Sequence, residues 1–153
     1  MDFYTSDDFL PDQSIGYLVK MCGQQGTAIL DRAFAVDGLT CSQWSALISI
    51  HFDAAPTCAS LARDLVHDKG AMTRMMDVLE ARGWVERTRS AEDRRIVRLS
   101  LTDAGREVTM RCRDKVVDLW NRCLADWSHD EITGFIAQLQ KLRRTLEDTA
   151  ACA

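Results

Sequence analysis

No stretch of this sequence approaches the roughly eighteen consecutive apolar residues of a membrane-spanning helix. Nor does the chain open as a secretory leader does. MDFYTSDDFLPDQS is acidic and broken by Pro11, where a leader has a basic start and an apolar run. A cytoplasmic protein without membrane contact is the resulting expectation. Proline is scarce, two residues in 153, and no repeat, low-complexity tract or linker divides the chain. One domain, long enough to bury a core, is expected. None of the six cysteines forms a Cys-x-x-Cys pair, and His51, His67 and His129 stand apart from them. That leaves no zinc-binding spacing, and the default state is a set of reduced thiols, several of them buried. No nucleophile–base pairing and no phosphate-cradling loop stands out, so no enzyme, cofactor or metal is read from the sequence.

Positive charge is also the minority sign, 19 Lys and Arg against 23 Asp and Glu, but it is unevenly spread. Residues 1–53 carry Lys20 and Arg32 against seven acidic groups, whereas residues 69–98 carry eight basic groups against five acidic ones. Arg87, Arg89, Arg94, Arg95 and Arg98 crowd into ERTRSAEDRRIVRLSLTDAG, residues 86–105. Salt screens charge beyond about 8 Å, so a polyanion would feel this basic middle rather than the acidic total.

The periodicity is mostly helical. Ile15, Leu18, Val19, Cys22, Ile29, Leu30, Ala33 and Phe34 recur at three- and four-residue steps and predict a helix over 13–36, ended by Asp37-Gly38. Thr40 and Gln43 have capping-box spacing ahead of a stripe of Trp44, Leu47, Ile48 and Phe52. A short helix holds Leu61, Ala62 and Leu65. Asp68 is placed to cap the next, with Met72, Met75, Met76 and Leu79 inward and Gly83 at its end. The few residues between these two helices are helix-turn-helix spacing. The period then changes, and two short strands joined through Arg89–Arg94 are expected. Thr102 caps a long helix over 103–127. Ser128 and Glu131 open a last one with Ile132, Phe135, Ile136, Leu139, Leu142 and Leu146 inward.

A helix-turn-helix followed by a basic hairpin is a winged-helix arrangement. The second helix would enter a major groove, its N-terminal half presenting Lys69, Gly70, Ala71, Thr73 and Arg74. The tip would lie over a minor groove, whose negative potential draws Arg94 and Arg95. Asp93 would hold the tip in shape by accepting hydrogen bonds from an arginine or from turn amides. Arg63 divides evenly between a backbone contact and a solvated side chain.

Three segments carry a family resemblance: LTCSQWSALISI (39–50), LARDLVHDKGAMTRMMDVLEARGWVERTRS (61–90) and AEDRRIVRLSLTDAGRE (91–107). They resemble the MarR family of bacterial transcription regulators, in its L-T-x-x-Q-W-x-x-L stretch, its helix-turn-helix, its D-x-R wing and its closing L-T-x-x-G. The resemblance implies that Asp93 and Arg95 form the D-x-R pair, with Arg95 the minor-groove arginine. The implied fold class is mainly α (α+β). A winged helix-turn-helix lobe occupies 40–102, with the two-stranded wing at about 84–101, and dimerisation helices occupy 13–36 and 103–148. It further implies a homodimer on a pseudopalindromic double-stranded operator, acting as a repressor released by a small aromatic or lipophilic effector.

Two readings stay open for each remaining group. Phe34, Trp44, Ile48 and His51 are candidates for an effector pocket, and equally for a satisfied core. Cys22 falls where peroxide-sensing members carry a reactive thiol, with Cys123 as a conceivable partner. The tyrosines those members place at 39–44 are missing here, and only Lys20 lies near to lower a thiol pKa. A buried structural Cys22 is the expectation and a redox switch the alternative. A winged helix that binds a protein instead of DNA is a third possibility.

Overall fold

The structure, a computed structural model, describes residues 3–5 and 10–151. Helices α1 (Ile15–Phe34), α2 (Cys41–Phe52), α3 (Cys58–Asp64) and α4 (Lys69–Ala81) precede strands β1 (Val85–Arg89) and β2 (Val97–Leu101). Helices α5 (Asp103–Cys123) and α6 (His129–Ala151) follow. The chain forms two compact units, one ending at Lys115 and one beginning at Val116.

Local chemistry sets most boundaries. Thr40 accepts from the Gln43 N–H at 3.2 Å while Gln43 Oε1 accepts from the Thr40 N–H at 3.1 Å, so both halves of the capping box form. Thr57 and Ser60 make the same reciprocal pair at the start of α3. Asp68 Oδ1 accepts from the Ala71 N–H at 3.0 Å, and that hydrogen bond lowers the carboxyl pKa at the start of α4. Ser128 and Glu131 cap α6 reciprocally, the Ser128 N–H reaching Glu131 Oε2 at 2.7 Å. Helix α1 runs unbroken through Gly23 and Gly26.

Helices α3 and α4 end in the same way, with different residues. After α4, the Gly83 N–H bonds the Glu80 carbonyl and the Trp84 N–H bonds that of Leu79, with Gly83 at φ 71°. After α3, the Val66 N–H bonds the Arg63 carbonyl and the His67 N–H that of Ala62, with Val66 at φ 53°. Both are Schellman closures, which need a left-handed residue. A β-branched side chain is strained there, and Val66 is 92% exposed, so little packing offsets the strain. Val66→Gly is therefore expected to stabilise the fold by about 1 kcal/mol, a rise of roughly 2–4 °C in Tm. A Tm at or below that of the parent protein in a thermal melt would contradict this.

The core of the first unit joins Leu30 and Phe34 of α1 to Ala46, Leu47 and Ile50 of α2, with Leu61, Met72, Met76, Leu79, Val85, Leu99 and Val108. Two sequence expectations change here. Phe52 lies outside the core at 73% exposure, its ring edge-on to His51; α2 buries Leu47 as expected, with Ala46 and Ile50 beside it. Helix α5 ends at Cys123, four residues early.

In the second unit no residue of 116–150 is buried in the single chain. Ile132 and Leu142 are half-buried, but Phe135, Ile136, Leu139 and Leu146 are 40–59% exposed, so the α6 stripe read as inward is largely uncovered. A helical hairpin has no second layer of its own to close over such a stripe. No helix among the described residues is long and apolar enough to cross a membrane.

Asp37 fastens the end of α1 to α5. Its side chain is only 7% exposed, and it accepts from Lys115 Nζ at 2.5 Å and Arg111 Nε at 2.8 Å. Lys115 Nζ also donates to the Ala33 carbonyl at 3.0 Å. These hydrogen bonds, Lys115 first, hold the Asp37 carboxyl below its usual pKa. Because the folded pKa is depressed, the contribution is present above the ordinary carboxylate range and lost as pH falls through the folded value. Asp37→Asn should cost about 1.5–3 kcal/mol at neutral pH and flatten the fall in stability below pH 5. Urea melts at pH 7 and pH 3 test this; equal pH dependence in both proteins would refute it.

Candidate nucleic-acid interface

The wing is a two-stranded antiparallel ladder with Val85 opposite Leu101 and Arg89 opposite Val97. It is seated at two points, the middle of β2 and the base. Leu99 is buried, and its N–H donates to the Pro56 carbonyl at 2.9 Å, tying β2 to the segment ahead of α3. At the base, the Thr102 N–H donates to the Trp84 carbonyl and Thr102 Oγ1 to that of Gly83 at 2.6 Å.

The tip is held by its own polar residues. The Ser90 N–H donates to the Ile96 carbonyl at 2.9 Å, and the Ile96 N–H to the Asp93 carbonyl at 3.0 Å. Asp93 Oδ1 accepts from the Arg95 N–H at 2.9 Å. This is the turn-amide bond expected of Asp93. Arg94 and Arg95 are both exposed, and neither is ion-paired among the described residues. Two free cations thus stand on a turn whose shape is already fixed.

On α4, Lys69, Gly70, Thr73 and Arg74 are exposed and Ala71 is half-buried. Thr73 Oγ1 donates to the Lys69 carbonyl at 2.9 Å, which leaves its lone pairs available. A Cβ on Gly70 would sit 3.1 Å from Asp68 Oδ1, so alanine there would press on the cap. Arg63 on α3 is exposed and spends Nε on the adjacent Asp64 carboxylate at 2.9 Å.

The residues considered for an effector lie in the first unit. Phe34 is fully buried against Trp44, ring centroids 5.7 Å apart, and Trp44 Nε1 donates to the Thr109 carbonyl at 3.1 Å. Ile48 and His51 are half-buried, and His51 Nδ1 is enclosed without a hydrogen-bond partner. An open groove of about 510 Å³ lies elsewhere, along Val19, Gly23, Thr27 and Asp31 of α1. No cluster of metal ligands occurs among the described residues.

The thiols divide by position. Cys22 and Cys123 are exposed, Cys41 and Cys58 half-buried, and Cys112 buried; Cys152 lies outside the described residues. Burial of Cys22 is thus not what the single chain has, because α1 buries only Leu30 and Phe34, near its far end. Burial, and then the Asp37 carboxylate, push the Cys112 thiol up to about 11, which makes it inert at neutral pH.

Sequence reasoning missed the Pro56–Leu99 link, the Asp37 cluster and the role of Arg87. The first two are contacts between distant segments, and the third joins β1 to the helix just before it. The one available signal was Arg87 itself, a cation two residues after Val85 and so on the inward side of β1.

A helix-turn-helix with a seated two-stranded wing defines a winged helix-turn-helix protein. The model of the MarR family matches residues 39–97. The multiple antibiotic resistance protein MarR of Escherichia coli is 32% identical over 139 residues, covering 90% of this chain and 96% of that protein. A crystal structure of an E. coli MarR variant complexed with operator DNA superposes with a TM-score of 0.77 at 32% identity, covering 90% of this chain and 99% of the other. The repressor CouR bound to a DNA duplex also gives 0.77, at 27% identity over 86% of this chain and 94% of the other. This chain belongs to the MarR family.

Proposed function

We propose that this protein is a homodimeric transcription regulator that binds a pseudopalindromic double-stranded operator and represses until a small aromatic or lipophilic molecule releases it. The observation that carries the reading is the pre-shaped tip, where Asp93 fixes the turn and leaves Arg94 and Arg95 uncompensated. In this reading the first turns of α4 enter the major groove. Gly70 and Ala71 permit close approach, and Thr73 and Arg74 reach base edges or phosphates. Lys69 and Arg63 touch the backbone, and Arg95 lies in the minor groove. The lobe over 40–102 does the binding, and the helices over 13–36 and 103–148 dimerise. Their uncovered side chains, Ile15, Leu18, Phe135 and Ile136 among them, support this. Half-sites would lie about 34–36 Å apart or at a multiple. The protein would act in the cytoplasm, without catalysis or cofactor.

Effector release needs only a difference in affinity between two arrangements of the lobes. About 1–3 kcal/mol gives roughly 5- to 150-fold coupling. Phe34, Trp44, Ile48 and His51 remain the proposed wall for such a molecule, and the unsatisfied His51 Nδ1 is the polar group it would answer. Exposure of Cys22 and Cys123 favours a second reading, the same DNA binder switched by thiol oxidation. Fluorescence anisotropy decides among these, using a duplex that the protein enriches from random-sequence DNA and a scrambled control at two salt concentrations. Sequence-dependent binding that weakens steeply with salt is expected. Equal weak binding to both duplexes would sink the regulator and favour a winged helix that serves a protein partner. Phenols, aromatic acids and peroxide, the last with Cys22→Ser, then separate the two switches.

A further inference from the structure

The arginines of the wing do not all face outward. Arg87 lies opposite the buried Leu99 in the ladder, and its side chain is only 23% exposed. A cation at an inward position needs partners, and Arg87 finds three on α4. Nη1 donates to Asp77 Oδ1 at 2.7 Å and to Glu80 Oε2 at 2.8 Å, and Nη2 reaches the Thr73 carbonyl at 3.4 Å. Thr73, Asp77 and Glu80 are spaced four and three residues apart, so they share one face of the helix. That face begins at a residue proposed to read DNA and continues into two carboxylates. Left alone, the pair would repel a polyanion docking on the N-terminal half of α4. Arg98, by contrast, comes no nearer than 3.9 Å to Glu92, and the side chains of Arg94 and Arg95 form no ion pair among the described residues.

We infer that Arg87 is a positioning residue and not a DNA contact: it braces the wing strand against α4 and neutralises the acidic pair before DNA arrives. This rests on the DNA-binding reading above. The guanidinium suits the task because its planar fork holds several N–H donors in fixed directions, where a lysine offers a compact point charge on a flexible stem. An isolated exposed ion pair would carry little, but here one partly buried cation binds two anions and a carbonyl across two elements. The brace fixes the span between Thr73 and the tip at Arg95 in the free protein, which reduces the ordering left for binding.

Two arms test this in the full-length protein. Hydrogen exchange of the wing amides, residues 85–101, is measured without DNA. Arg87→Gln should exchange at least about fivefold faster than the parent protein, with Arg87→Lys between the two. Affinity is measured on the duplex enriched by the parent protein from random-sequence DNA. Arg87→Gln should bind about tenfold more weakly, and adding Asp77→Asn and Glu80→Gln should recover most of that loss while exchange stays fast. Unchanged exchange in Arg87→Gln overturns the brace. An affinity loss that neutral partners fail to recover, with a salt slope lower by about 1 per subunit, makes Arg87 a phosphate contact and overturns the inference. If the parent protein enriches no duplex, the DNA-binding reading fails, the neutralising role falls with it, and the exchange arm alone decides the brace.

Discussion

Gly105→Ala is expected to destabilise the first unit by about 3 kcal/mol or more, the upper end of what overpacking costs. A Cβ built on Gly105 would lie 1.9 Å from the Trp84 carbonyl oxygen, 2.8 Å from its carbon and 3.0 Å from its Cα. All three are backbone atoms, so no rotamer change relieves the clash. Nor is Trp84 free to shift. Its N–H closes the end of α4 on the Leu79 carbonyl, and its carbonyl accepts from the Thr102 N–H. Thr102 Oγ1 accepts from the Gly105 N–H at 2.9 Å and donates to the Gly83 carbonyl at 2.6 Å. The start of α5 is therefore laced to the corner between α4 and β1, and an added methyl has to break that lacing. A domain with about 5–15 kcal/mol of total stability loses a large share. DNA binding should fall with it, because β1 begins at that corner. Gly134→Ala on α6 is the control: an added Cβ meets nothing within 4 Å there, so helix propensity alone should give a gain of up to about 1 kcal/mol. Chemical unfolding of both variants is the measurement. A Gly105→Ala midpoint within error of the parent protein would mean that the close approach at Trp84 does not exist.

Gly105 also shows where sequence was readable and where it was not. The closing L-T-x-x-G motif is plain in the chain, but its reason lies in a contact with residue 84, which no local pattern reveals. Features confined to one turn were legible. Thr40 with Gln43, Asp68 with Ala71 and Ser128 with Glu131 each satisfy an amide three residues away, and all form. The wing was legible from its change of period and its turn residues. Long-range polar pairs were not. Asp37 meets Arg111 and Lys115 across 74 and 78 residues, a spacing that carries no periodic signal. Apolar stripes were legible as stripes, but not what covers them. Phe52 fits the α2 spacing and yet lies outside the core, and the α6 stripe is uncovered in one chain. The five wing arginines read as one basic patch; only the structure separates Arg87, held against α4, from the two at the tip.

Arg95→Ala should therefore cost more than its small change in net charge suggests. A specific arginine contact carries about 1–3 kcal/mol, and a homodimer on a two-fold site loses it twice, roughly 30-fold to more than a thousandfold in affinity. The geometry argues for the upper part of that range. The Arg95 N–H is already fixed by Asp93 Oδ1 at 2.9 Å, while the guanidinium has no carboxylate to leave before it meets DNA. Little ordering and no broken ion pair then offset the contact. Charge loss and lost shape readout are separated by salt. If Arg95 neutralises phosphate, the slope of log affinity against log salt should flatten by about 0.9 per subunit. If it reads the width of a narrow minor groove, affinity should fall most on duplexes rich in A·T at that position, with the slope less changed. Asp93→Ala should weaken binding without touching DNA, since it frees the turn, whereas Asp93→Asn should bind almost as the parent protein does, because asparagine caps the same amide. Lys141→Ala on the exposed face of α6 supplies the reference for removing a remote charge. Anisotropy titrations of the four variants on the enriched duplex make the comparison. If Arg95→Ala and Lys141→Ala shift affinity equally, the tip does not enter a groove, and the cations of the wing serve another partner.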